Sequence, residues 1–179
     1  MVAASIWDVP EIEYLNDNFE GVGEYKFYAT TGVTSSGKDV IFLQKDRSAP
    51  EKSFENFLEE NGAKIDWWYK NGESKKEYFG IAYELADGSH TFYPDYIVRL
   101  KSGKVGIFET KHESDPGGSV ETKAKAEALQ EWRNNQKRKD IIGGIVIEHN
   151  GQWLLHDGKK YDWEKCERNI WSDWRKLEF

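Results

Sequence analysis

At 179 residues the chain has room for one buried core and too little for two. Its composition, 38% hydrophobic with 32% charged and 15% aromatic residues, fits a globular protein rather than a disordered or fibrous one. The longest apolar run, residues 141–147, falls far short of the roughly 20 residues of a membrane helix; no secretory or transit signal opens the chain, and the single Cys166 excludes internal disulfides, so a cytoplasmic setting is expected. The net charge of −7 is concentrated at the front: residues 1–60 hold 12 acids and 5 bases, the remainder 20 of each.

Residues 1–47 read as a β-rich extension packed on the same domain, with strands over 25–30 and 39–45 around the turn formers Thr34, Ser35, Ser36 and Gly37. The main domain, 48–179, opens with Ser48, Ala49 and Pro50, which start a helix over 51–60 whose apolar stripe is Phe54, Phe57 and Leu58; Asn61 and Gly62 close it. Strands follow over 64–69, 77–85, 91–100 and 104–111, the last three joined by turns at Asp87-Gly88 and Ser102-Gly103. After the loop Asp115-Pro116-Gly117-Gly118 the pattern gives a long helix over 120–137, a buried strand over 141–148 and a short strand over 152–155. A closing helix is expected over 163–177, with Trp163, Ile170, Trp171 and Trp174 turned inward. This order implies an α/β protein, a mixed β-sheet flanked by helices.

Two neighbouring strands carry carboxylates where a core strand should avoid them, at Asp95 and at Glu109. If the turn at Ser102-Gly103 joins these strands, the two acids lie at nearly equal distances from it, and they face each other directly or one residue off register. Like charges so placed repel, and a divalent cation with oxygen ligands makes such a pair favourable. Lys111 follows Glu109 by two residues, on the same face of its strand. Mg²⁺ held by Asp95 and Glu109 can polarise a phosphodiester and activate water, and Lys111 can orient that water or stabilise the developing charge. The alternative is that Asp95 caps a strand after Pro94 while Glu109 and Lys111 form a solvated ladder. The four histidines, His90, His112, His149 and His156, lack zinc-site spacing.

These residues resemble the PD-(D/E)XK nuclease superfamily, in particular the nuclease domain at the C-terminal end of type III restriction-enzyme subunits and related helicases. Tyr93-Pro94-Asp95-Tyr96-Ile97-Val98 and Phe108-Glu109-Thr110-Lys111 match its two signature strands; Glu51-Lys52-Ser53-Phe54, Trp67-Trp68-Tyr69-Lys70-Asn71-Gly72, Lys125-Ala126-Glu127-Ala128-Leu129 and Gly143-Gly144-Ile145-Val146 extend the match over residues 48–175. The resemblance implies a restriction-endonuclease-like fold and Mg²⁺-dependent cleavage of DNA, with Mn²⁺ as a substitute. It further implies metal ligands Asp95, Glu109 and the backbone carbonyl of Thr110, Lys111 as the catalytic lysine, and a helicase or ATPase motor in the same polypeptide or complex. His112 stands where the family usually places Gly, and beside Lys111 it is a supporting candidate.

The family's additional acid comes from the first helix. At 100° per residue Glu51 lies nearer than Glu55 to the apolar stripe, which favours Glu51; a first-turn Glu favouring the helix dipole is the competing account. Lys125 shares a helix face with Ala128, Leu129 and Trp132, so its ammonium either reaches a phosphate or snorkels at the core edge. Lys123 and Arg133, with Lys137, Arg138 and Lys139, form either phosphate contacts or a solvated face. Two other readings stand beside the nuclease: a nucleic-acid-binding domain of the same fold without catalysis, and an aromatic-rich carbohydrate-binding domain built on the eight tryptophans. The inward spacing of most of those tryptophans makes core packing their default role.

Overall fold

The computed structural model of the protein describes residues 27–28, 48–71, 79–114, 119–137 and 139–179. The expected strand over 39–45, the turn at 34–37 and the loop at 115–118 lie outside these residues, as does most of the proposed extension 1–47. Twelve elements follow in order: β1 (Phe27–Tyr28), α1 (Ala49–Glu60), β2 (Ile65–Lys70), β3 (Ile81–Leu85), β4 (Gly88–Phe92), β5 (Tyr96–Leu100), β6 (Val105–Thr110), α2 (Val120–Asn135), β7 (Ile141–His149), β8 (Gln152–His156), α3 (Trp163–Glu167) and β9 (Arg175–Lys176). They form a mixed sheet in the order β1-β2-β5-β6-β7-β8-β9, beside a separate β3-β4 hairpin. Only β6 and β7 run parallel within that sheet, and α2 connects them. The protein is thus a mixed α/β fold whose sheet is flanked by helices.

Alternation along the strands sorts side chains between two cores. Trp68, Tyr96, Val98, Leu100 and Phe108 pack with Phe54 and Leu58 of α1 on one face. Trp67, Ile97, Val105 and Ile107 pack on the other against Leu129 of α2 and against Phe79, Ile81, Tyr83 and Phe92 of the hairpin segment. Helix α1 starts at a capping box: Ser48 Oγ accepts from the Glu51 N–H, and Glu51 Oε2 accepts from the Ser48 N–H at 2.7 Å.

Two elements differ from the sequence expectation. The strand expected over 91–100 is two strands in different sheets. Pro94, which has no N–H to give to a ladder, sits in the break between β4 and β5, and the chain bends at Asp95. The helix expected over 163–177 stops at Glu167. Asn169 takes a left-handed conformation (φ 58°), its N–H bonding Cys166 O at 2.9 Å and that of Ile170 bonding Lys165 O at 2.8 Å. This is a Schellman stop. The freed chain then returns as β9 beside β8, leaving Ile170 exposed rather than inward.

Candidate functional site

The bend at Asp95, the ends of β2 and β6 and the first turn of α1 meet at one end of the sheet. Tyr96 pairs with Phe108 and Ile97 with Ile107, and one further step of that register sets Asp95 opposite Glu109. The Ser102-Gly103 turn makes this possible: Gly103 adopts φ 88°, and Leu100 N–H reaches Lys104 O at 2.9 Å. Asp95 is clasped from both sides. Its Oδ2 accepts from the backbone N–H and the hydroxyl of Thr110, each at 2.8 Å, while its Oδ1 accepts from Lys70 Nζ at 2.7 Å. The same ammonium reaches Glu51 Oε1 at 2.6 Å. Lys111 Nζ donates to Glu109 Oε1 at 2.7 Å. The other oxygen, Glu109 Oε2, is buried with no hydrogen-bond partner.

The two opposed acids are held in different states. Burial, the largest influence on Asp95, pushes its carboxyl up, but Lys70 and the Thr110 donors together outweigh it and hold Asp95 below the usual range. For Glu109 burial again leads and the Asp95 charge adds to it; Lys111 and Lys70 offset only part, and the carboxyl is pushed up to about 8. Burial works against the charge of Lys70, yet Asp95 and Glu51 raise its pKa on balance. Glu51 is also desolvated, and Lys70 with the Ser48 donors brings it below its ordinary value.

The first-helix acids are both turned to the sheet. Glu51 enters the cluster through Lys70, whereas Glu55, expected to point farther from the apolar stripe, is fully buried, and its Oε1 accepts from Tyr96 Oη at 3.0 Å. Burying that hydroxyl beside Glu55, Glu51 and Asp95 drives its pKa up. Lys70 is the participant that sequence reasoning missed. The signal was available: Lys70 falls two residues after the fully buried Trp68, on the face that alternation assigns to the core.

The remaining candidates lie elsewhere. Lys125 pairs with Glu121 at 2.5 Å, its ammonium 5.8 Å from the Tyr83 and Phe92 rings, over the hairpin rather than among the acids. Arg133 is tied into the fold, donating to Gly143 O and to Asp157 O. Lys123 is exposed on α2, Lys139 donates to the carbonyls of Asn134 and Gln136, and Arg138 lies outside the described residues. His112 is exposed and its Nδ1 faces Ser114 Oγ at 2.7 Å. Trp67, Trp68 and Trp153 are core residues, and Trp163 and Trp174 pack around Tyr161, in keeping with the core role that their inward spacing predicts.

Among the described residues no three His, Cys, Asp or Glu side chains form a group able to hold a metal ion, and the Lys70 ammonium bridges Glu51 and Asp95. Two observations nonetheless suit a hard divalent cation. The donor set is all oxygen, and Glu109 carries a buried carboxylate oxygen with nothing to satisfy it, beside a second acid whose charge it must tolerate. Comparison with family models, curated proteins and solved structures finds no match to this chain. Among the described residues no helix is long and apolar enough to cross a membrane.

Proposed function

We propose that the protein hydrolyses DNA phosphodiester bonds with Mg²⁺, or Mn²⁺ in its place, as a nuclease of the PD-(D/E)XK kind on a restriction-endonuclease-like fold. The observation that carries this reading is the buried, half-satisfied Glu109 carboxyl set opposite Asp95 with Lys111 bonded to it. Asp95, Glu109 and the Thr110 carbonyl would hold the ion, which supplies polarisation of a phosphoryl oxygen and activation of water. Thr110 fixes the direction of Asp95 through two hydrogen bonds, so this acid is already oriented. Lys111, bonded to Glu109, is positioned to steady the attacking water or the charge that develops on the phosphate oxygens.

One observation favours the rival of a nucleic-acid-binding domain without catalysis: Lys70 already neutralises Asp95 and Glu51. Plasmid cleavage and Mn²⁺ calorimetry separate the two. The wild type should bind Mn²⁺ and cut only in its presence, and Asp95→Ala should lose both while remaining folded. Lys111→Met should keep metal binding but cut at least about a hundredfold more slowly, the scale of losing one positioned electrostatic or proton-transfer group. Normal cleavage by either variant, or no Mn²⁺ binding by the wild type, would discard the nuclease reading.

A further inference from the structure

Lys70 ends β2 with its side chain only 10% exposed, and its ammonium bridges carboxylates from two other elements, Glu51 Oε1 at 2.6 Å and Asp95 Oδ1 at 2.7 Å. It also lies 4.8 Å from the centre of the Tyr96 ring. Both partners are anchored through their second oxygens, Asp95 by the two Thr110 donors. Glu51 is anchored through its second oxygen, Oε2, by the Ser48 N–H of the capping box, and so offers a fixed point on the rim of the site. Asp95 is the acid the nuclease reading assigns to the metal.

Resting on that reading, we propose that Lys70 is a resident cation that a divalent ion must displace: it fills the Asp95 side of the cluster until the metal arrives, then pivots about Glu51 and takes a phosphate of the nucleic acid as its new partner. Charge favours such movement: Lys70 already neutralises Asp95, and a dication entering with the ammonium still in place would set two cations against one carboxylate in a poorly solvated pocket. The lysine stem is long and flexible enough for the change, and an ammonium is a suitable point-charge partner for phosphate. Metal and nucleic acid should therefore bind cooperatively, each relieving a cost imposed on the other.

The test is calorimetric titration of the full chain with Mn²⁺, with and without a short random-sequence duplex, for the wild type and Lys70→Met. Without DNA the Met variant should bind Mn²⁺ roughly tenfold more tightly than the wild type, within the usual range of coupling between sites. The duplex should tighten Mn²⁺ binding to the wild type by a similar factor and barely change that of the variant. Equal or weaker Mn²⁺ affinity in folded Lys70→Met would overturn the proposal alone, making Lys70 a structural clamp. Absence of Mn²⁺ binding in both proteins would remove the nuclease reading and the proposal with it. Lys70→Gln, which keeps a donor for both carboxylates without the charge, carries the same expectations should the Met variant fail to fold.

Discussion

Asp95 and Glu109 carry the same functional group, and their surroundings hold it in opposite states. Asp95 has a cation and two Thr110 donors around it, which is how a buried carboxylate stays charged. Glu109 has Lys111 on one oxygen and nothing on the other, and keeps its proton up to about pH 8. The consequence for stability has a definite sign. A carboxyl whose pKa is higher in the folded chain than in the unfolded one stabilises fully below the unfolded value, and that contribution is lost as pH rises through the folded value. His156, whose pKa is lowered chiefly by burial, acts oppositely and only below its ordinary value of 6.5. In chelator, the unfolding free energy should therefore fall as pH rises from 6.5 through 8, and Glu109→Gln should remove most of that fall. Denaturant titrations across this range check it; an unchanged slope in the variant would assign the effect to another group. Saturating Mn²⁺ should suppress the fall in the wild type, since the cation takes over from the proton.

Strand β7, which pairs with the Glu109 strand β6, depends on close backbone approach to β8 at Gly144. A Cβ there would lie 1.9 Å from His156 O, a backbone atom of β8 that cannot swing aside. Gly144→Ala should cost about 1–3 kcal/mol, as overpacking does, and thermal or denaturant unfolding measures it. A wild-type midpoint in that variant would show that β8 gives way freely. The elements that were legible in the sequence had strong local signals: Ser48 and Pro50 opening α1, Gly103 turning β5 into β6, and long apolar runs in β6 and β7. Those misread had competing signals of different kinds. Tryptophan spacing suggested a helix past Glu167, while the stop lay in one left-handed Asn169; β-branched and aromatic residues on both sides of Pro94 concealed a change of sheet. The Asp95, Glu109 and Lys111 grouping follows from hairpin register, which is local. Lys70 comes from β2, three elements before β5, and its place beside Asp95 exists only once β2 pairs with β5.

At the scale of the molecule, charge limits how the proposed site could meet DNA. The chain carries −7 overall, and the bases expected to form a patch between 123 and 139 are partly committed: Lys125 to Glu121, Arg133 to Gly143 O and the Asp157 segment, Lys139 to helix-end carbonyls. Among the described residues of this stretch, Lys123 and Lys137 remain exposed without such ties, too few for a broad phosphate-binding face. No GxxxxGK[ST] phosphate-binding loop occurs in the sequence. These features support the proposal that the domain acts as the cutting part of a larger assembly, whose motor or specificity component brings the duplex to it. The isolated chain should then bind a random duplex weakly, with a dissociation constant of roughly 10⁻⁴ to 10⁻⁶ M at physiological salt. With about two phosphate contacts, log affinity should fall against log salt with a slope of roughly 2. Cleavage should be slow, weakly sequence-specific and suppressed by added salt. Fluorescence anisotropy at two ionic strengths, beside mapping of the cut sites on a plasmid, reads all of this. Nanomolar affinity for one defined site, little changed by salt, would show that the chain finds its target unaided and would remove the need for a partner.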